Sequence, residues 1–182
     1  MASVIIVGDG PGGLSAALFL AKNGQDTMVF GTDTTAMHYA YLYNYLGLPE
    51  IAGTEFQRIA RDQATASGAR IIDAEVSTIG VGDTITVEAD GKTYSSAYLI
   101  LSEGKNPEIG RSLGLETDDG GAIVVDRDNR TSVESVYAVG RSVRPTRSQA
   151  IISAGAGAVA ALDILAREAG KDIQDWDTPP KD

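Results

Sequence analysis

VIIVGDGPGGLSAALFLAKNG, residues 4–24, decides how the rest of the chain is read. Residues 3–7 are a short, almost unbroken apolar run, which predicts a fully buried strand. Pro11 to Asn23 predicts a helix, with Gly24 as its C-cap. Asp26 to Phe30 predicts a second strand. Together they form a β-α-β unit, which implies parallel strands and a right-handed crossover. Between the first strand and the helix, Gly8, Gly10 and Gly13 match G-x-G-x-x-G. Each glycine answers a mechanical need. Gly8 permits a tight turn out of the strand, Gly10 lets a pyrophosphate approach the backbone, and Gly13 lets the helix lie close to the sheet. Pro11 and Gly12 open the helix, where free N–H groups and the helix dipole favour an anion. A dinucleotide site is the expectation; the alternative is a glycine turn kept for helix–strand packing.

The same motif calls for an acid about 20 residues further on, to grip ribose hydroxyls. Gly31 stands where that acid is most typical, and the first carboxylate is Asp33. Asp33 either reaches the ribose from the loop or is a solvated loop residue.

Beyond this unit, residues 31–53 read as a loop. Thr54 reads as the N-cap of a second helix, with Gln57 at the capping-box position and Gly68 at the end. Residues 70–74 predict a third core strand. The stretches EVSTIG, DTITVEAD and GKTYSS alternate and are split by Gly-Asp and Asp-Gly, which predicts an antiparallel meander. AYLILSEG (97–104) predicts a fourth core strand, AIVVD (122–126) a short strand and SVYAVG (135–140) a fifth core strand. Residues 105–121 read as a Gly-rich connector with one short helical turn. Gln149 to Ala169 predicts a long helix closed by Gly170.

The chain has 182 residues, enough for one domain with a proper core. It has no cysteine, so disulfides, thiolate nucleophiles and Cys-ligated metals are out of reach. His38 is the single histidine, which leaves no basis for a His-built metal site. The formal charge is −10, from 25 acids, 16 of them Asp, and 15 bases, five of them Lys. Such a surface repels phosphate backbones, so nucleic acid is not an expected partner. It also resembles proteins of salt-rich cytoplasm, where a carboxylate shell keeps the surface hydrated. With no apolar run of about 18 residues, no membrane span is expected. The apolar start lacks a basic leader and is broken by glycines, so a cytoplasmic protein is expected.

Three stretches together resemble the thioredoxin-reductase-like flavoproteins of the pyridine nucleotide-disulfide oxidoreductase family. VIIVGDGPGGLSAALFLAKNG resembles their FAD-binding N-terminus. YNYLGLPEIAGTEFQRIARDQATASGARII is similar to the segment after the flavin loop. TSVESVYAVGRSVRPTRSQAIISAGAGAVAALDIL looks like the C-terminal flavin motif and its helix. The resemblance implies an FAD site built from Gly8, Gly10, Pro11, Gly12, Gly13, Asp33, Asn44, Gly140, Arg141, Gln149 and Ala150, and it implies a homodimer.

The departures from that family matter equally. AYLILSEGKNPEIGRSLGLETDDGGAIVVD runs straight across the junction where the family carries an NADPH-binding domain, and the family's redox cysteines are absent. Gly140-Arg141 stands where the family usually has Gly-Asp, and a guanidinium donates where a carboxylate accepts. Arg141 then contacts a flavin phosphate, pairs with a surface carboxylate, or marks a site where FAD does not bind as in the family. Tyr39, Tyr41, Tyr43 and Tyr45 alternate along the flavin-flanking loop; at period two they would line one face, covering a flavin, a dimer contact or the core.

The expected architecture is therefore α/β: a Rossmann-like FAD-binding three-layer fold with a five-stranded parallel sheet and a three-stranded antiparallel β-meander. Residues 1–170 form a single FAD-binding domain and residues 171–182 a polar, loosely held tail. The expected function is that of a flavoprotein resembling the FAD domain of thioredoxin reductase. It is an oxidoreductase component fed by an electron-donor protein or by diffusing NAD(P)H, and not a thiol-disulfide reductase. No residue reads as catalytic. The alternatives are a non-catalytic flavin- or dinucleotide-binding module and a cofactor-free dimeric scaffold.

Overall fold

The computed structural model describes residues 2–179. Met1 and the last three residues of the tail lie outside the described residues. The first unit forms as its pattern requires: β1 (Ala2–Val7), α1 (Pro11–Lys22) and β2 (Thr27–Phe30). β1 is buried on both faces, Val4 and Ile6 on one side and Ile5 and Val7 on the other. That is why it reads as a continuous apolar run rather than an alternating one.

Two further short strands, β3 (Tyr41–Leu42) and β4 (Ile51–Ala52), pair antiparallel in the loop that follows. Helix α2 (Gly53–Ala66) begins two residues earlier than the capping box predicts. Its N-cap is Ala52, with no side-chain capping bond, and Gln57 is buried and turned to other work. β5 is Arg70–Ile72, β6 Val76–Gly80, β7 Ile85–Ala89 and β8 Lys92–Leu101. The third meander strand and the fourth core strand are thus one ten-residue strand. On one side of β8, its first half pairs antiparallel with β7 and its second half pairs parallel with β9 (Val136–Ala138). β1 lies along its other side. The expected strand over 122–126 does not form; Ile123 makes an isolated bridge to Thr117. The connector holds one short helix, α3 (Glu108–Ser112), and the chain closes with α4 (Ala150–Ala169).

The parallel part of the sheet runs β5-β2-β1-β8-β9, five strands as expected, with the meander added through β8. One face carries α1 and α4 over Val4, Ile6, Tyr98, Ile100 and Tyr137. Over the other face lie meander residues Ile85 and Val87 and connector residues Leu115 and Ile123. The fold is Rossmann-like, and its strand order reverses direction between β1 and β8. In open α/β sheets a ligand crevice forms at such a switch point, outside the carboxyl ends of the strands.

α4 is 20 residues long with a mean hydropathy of 1.6 over its most apolar window, enough by length and composition to cross a membrane. Here one face of it, with Ala160, Ala161, Ile164 and Leu165, packs into the core, while Ile151, Ile152 and Val159 stay exposed. A Cβ at Gly157 would lie 2.0 Å from the Gly12 carbonyl oxygen, so α4 touches α1 backbone to backbone. Asp163, midway along it, accepts from Tyr137 Oη at 2.7 Å and pairs with Arg130. Burial works against the Asp163 charge, but the Arg130 and Tyr137 donors outweigh it and hold the carboxyl below its ordinary range. The tail is less loose than its composition implies. Asp175 binds Lys22 at 3.0 Å, and Ile173 packs on the core, while Trp176 stays exposed.

Candidate functional site

At the carboxyl ends of β1 and β8 lies a cleft of about 640 Å³. Gly8, at φ 99°, turns the chain out of β1; a Cβ there would sit 2.2 Å from the Ser102 carbonyl oxygen. At Gly13 a Cβ would sit 2.0 Å from the Gly8 carbonyl oxygen, which is how α1 closes onto the turn. The Gly13 N–H is held by Ser102 Oγ at 3.2 Å. Gly10 differs from both. A Cβ there would meet only Thr35 Oγ1, at 3.6 Å, so the missing side chain leaves an open cradle over the cleft.

Two helices start at this cleft. α1 has Gly10 as N-cap and α4 has Gln149, and neither cap makes a side-chain bond. Neither helix has an acid in its first turn. Both macrodipoles therefore present their positive ends to the cleft with no acid in the first turn, although the Asp9 carboxylate, committed to Arg61, lies just before α1.

Gly8, Gly10, Pro11, Gly12, Gly140, Arg141, Gln149 and Ala150 line the cleft together, although more than 120 positions separate the two groups in the chain. Gly13 lies behind the turn, and Asp33 and Asn44 stand outside the lining. Asn44 Nδ2 donates to Gln149 Oε1 at 3.2 Å and so ties the aromatic loop to the start of α4.

The tyrosines do not form one face. Tyr39 ends a single 3₁₀ turn, and Tyr39 and Tyr43 are exposed. Tyr41 stacks against Tyr43 at 4.8 Å, while Tyr45 turns onto Phe56 of α2 at 5.3 Å. The residues between them, Ala40 and Leu42, line the cleft with Met37. The alternation is real, but its small and aliphatic members face inward.

The turn after β2 holds a network that sequence reasoning missed. Asp9, inside the glycine motif, is buried at 4% exposure. Its Oδ2 accepts the Asp33 N–H at 3.1 Å and pairs with Arg61 of α2. Gln57 Nε2 bridges the Asp9 carbonyl oxygen at 2.7 Å and Asp33 Oδ1 at 3.1 Å. His38 Nε2 lies 2.8 Å from the Asp33 carbonyl oxygen. A Cβ at Gly31 would lie 2.4 Å from Asp9 Cγ. The Asp9 carboxylate thus fills the space that a side chain at position 31 would need. The signal was an acid between two glycines, with Gln57 and Arg61 one turn apart on one helix face.

Glu103 lines the opposite wall and accepts the Ile109 and Gly110 N–H groups at 2.8 and 3.0 Å. Burial pushes its carboxyl above the ordinary range in spite of those bonds.

The sequence model of the pyridine nucleotide-disulphide oxidoreductase family matches residues 46–157. A thioredoxin reductase of Streptomyces coelicolor is 31% identical over 124 residues, 64% of this chain and 38% of that protein. A dihydrolipoyl dehydrogenase of Haloferax volcanii is 27% identical over 176 residues, 94% of this chain and 36% of that protein. The chain thus spans well under half the length of these curated relatives. Among solved structures, a thioredoxin reductase from Gloeobacter violaceus aligns with a TM-score of 0.88 at 18% identity, over 97% of this chain and 99% of that one. A ferredoxin-flavin thioredoxin reductase from Clostridium acetobutylicum aligns with a TM-score of 0.80 at 19% identity, over 93% of this chain and 99% of that one. At these identities the structural likeness is one of fold. The family match covers more than half of the chain, from the aromatic loop into α4, and the chain belongs to the pyridine nucleotide-disulphide oxidoreductase family, with the fold of the thioredoxin reductases.

Proposed function

We propose that the cleft holds FAD and that the chain is the flavin-holding part of an oxidoreductase whose electrons arrive from outside this fold. The observation that carries the reading is the pair of uncapped helix starts, α1 and α4, opening on one cleft beside the cradle at Gly10. An extended anionic dinucleotide answers both ends. The first turn of α1 would take the pyrophosphate, with Gly10 leaving room for close approach. Arg141, on the same lining, supplies a forked donor for phosphate oxygens. At the other end the first turn of α4, with Ala150 on the lining, would favour the negative charge that a reduced isoalloxazine carries. Met37, Ala40 and Leu42 form an apolar wall that limits water there.

Bound FAD would supply two-electron redox chemistry, and the chain's own residues would bind, orient and tune it. With no cysteine in the chain, the acceptor is not reduced through a dithiol here. The test is to incubate the purified protein with FAD, pass it through gel filtration and record the visible spectrum. Co-eluting flavin bands support the reading, and a colourless peak overturns it. Anaerobic bleaching by NADH or NADPH would then identify a diffusing donor, and an unchanged spectrum would point to a protein donor.

A further inference from the structure

A second recess, of about 460 Å³, adjoins the flavin cleft and shares Lys105, Asn106, Pro145 and Thr146 with it. Four cations line this recess: Lys105, Arg111, Arg144 and Arg147. They come from separate parts of the chain: the connector, α3 and the segment RSVRPTR that leads to α4. Elsewhere most of the basic residues find acids, Arg127 beside Asp128 among them, while Lys92, Arg141 and Lys171 pair with none among the described residues. Lys22, Arg58, Arg61, Arg70, Arg130 and Arg167 each pair with an Asp or Glu. Among the described residues, the four cations of the recess pair with none. A shortage of carboxylates does not explain this in a chain with 25 acids and 15 bases. The one acid on the lining, Asp118, is committed to its own loop, where its Oδ1 accepts the Gly120 and Ala122 N–H groups at 2.9 Å each. Like charges gathered around one concavity repel one another, and an anion of several charges relieves them all.

We propose that this recess binds the phosphate groups of a small polyphosphate-bearing ligand, of the kind found in a nucleoside diphosphate or a dinucleotide. Its size is that of a small-molecule pocket, whereas a protein partner needs a broad face. Three guanidiniums offer paired donors that match phosphate oxygens, and Asn106 and Thr146 add neutral donors at the shared wall. The site does not depend on the flavin reading, because none of the four cations belongs to the glycine turn or to the first turn of α4.

The test is calorimetric titration with inorganic pyrophosphate at one fixed salt concentration, on the full chain before and after incubation with FAD. Saturable binding is expected in both states. The double variant Arg144→Glu/Arg147→Glu should lose at least tenfold in affinity, with circular dichroism verifying its fold. Lys92→Glu, on the meander far from the recess, should bind as the parent does. Displacement of pyrophosphate by NADPH would assign the site to a nucleotide, and displacement by tripolyphosphate alone to inorganic polyphosphate. No saturable binding, or equal affinity in the double variant and the parent, overturns the proposal. Flavin retention is read from absorbance, so the two readings fail separately.

Discussion

The two ends of the cleft handle charge in opposite ways. At the β2 end, Asp9, Arg61, Gln57 and Asp33 close on one another, and the carboxylate at their centre is buried and paired. At the β9 end, Arg141 and Lys105 on the cleft wall, and Arg144 and Arg147 in the adjoining recess, stand without carboxylate partners among the described residues. A buried charge without its partner is costly, so the first set holds loops in place. Exposed cations are hydrated and cheap to keep, so the second set remains free to meet a ligand. Residues at one end should therefore answer to stability measurements, and residues at the other to binding measurements.

The sharpest break lies beneath both ends, in the turn itself. Gly13→Ala places a methyl 2.0 Å from the Gly8 carbonyl oxygen, where only backbone could yield. It should cost at least about 3 kcal/mol by urea denaturation. Arg61→Ala leaves Asp9 charged and buried and should cost about 3 kcal/mol, part of which Asp9→Asn restores in the double variant. Gly31→Ala should cost about 2 kcal/mol, because its methyl enters the space of the Asp9 carboxylate. In an Asp9→Gly background the same change should cost less than half as much, and a double-mutant cycle reads that coupling.

Away from the cleft, Asp163→Asn should cost about 1–2 kcal/mol at neutral pH. The folded carboxyl sits below its ordinary value of 3.8, so its contribution is complete above that value. As the pH falls below 3.8 the contribution is lost, and parent and variant should converge in chemical denaturation. The smallest effect belongs to the arginine end: Arg144→Glu/Arg147→Glu should move stability by less than about 0.5 kcal/mol.

The same contrast explains what could be read from the sequence. Gly8, Gly10 and Gly13 were legible because each spacing reports a local backbone demand, and the β-α-β unit around them is local as well. Strands β1, β2, β8 and β9 followed from the apolar runs that doubly buried strands carry, whereas the edge strand β5 rests on Ile71 and Ile72 alone and the equally apolar run at 122–126 forms no strand. Gln57 misled because an amide three residues into a helix matches a capping box whether it bends back or reaches across. Asp9 was silent because its partner, Arg61, is 52 positions away and only the fold brings them together. The continuity of β8 was hidden by its pairing, since its first half has β7 on one edge and its second half lies in the buried sheet. The tyrosine alternation gave the period and not the direction, because exposure of one aromatic set depends on what the other set faces.

Gly10 offers the most direct test of the flavin site. Its backbone, at φ −72° and ψ 179°, suits any residue, and a Cβ meets only Thr35 Oγ1 at 3.6 Å. Gly10→Val should therefore fold like the parent while filling the cradle. The decisive measurement is flavin absorbance across the gel-filtration peak after incubation with FAD, for parent and variant side by side, with thermal midpoints recorded on both. The account predicts a yellow parent with one flavin per chain, and a colourless variant with an unchanged midpoint. A colourless parent, or a Gly10→Val protein that keeps FAD as well as the parent does, would contradict it.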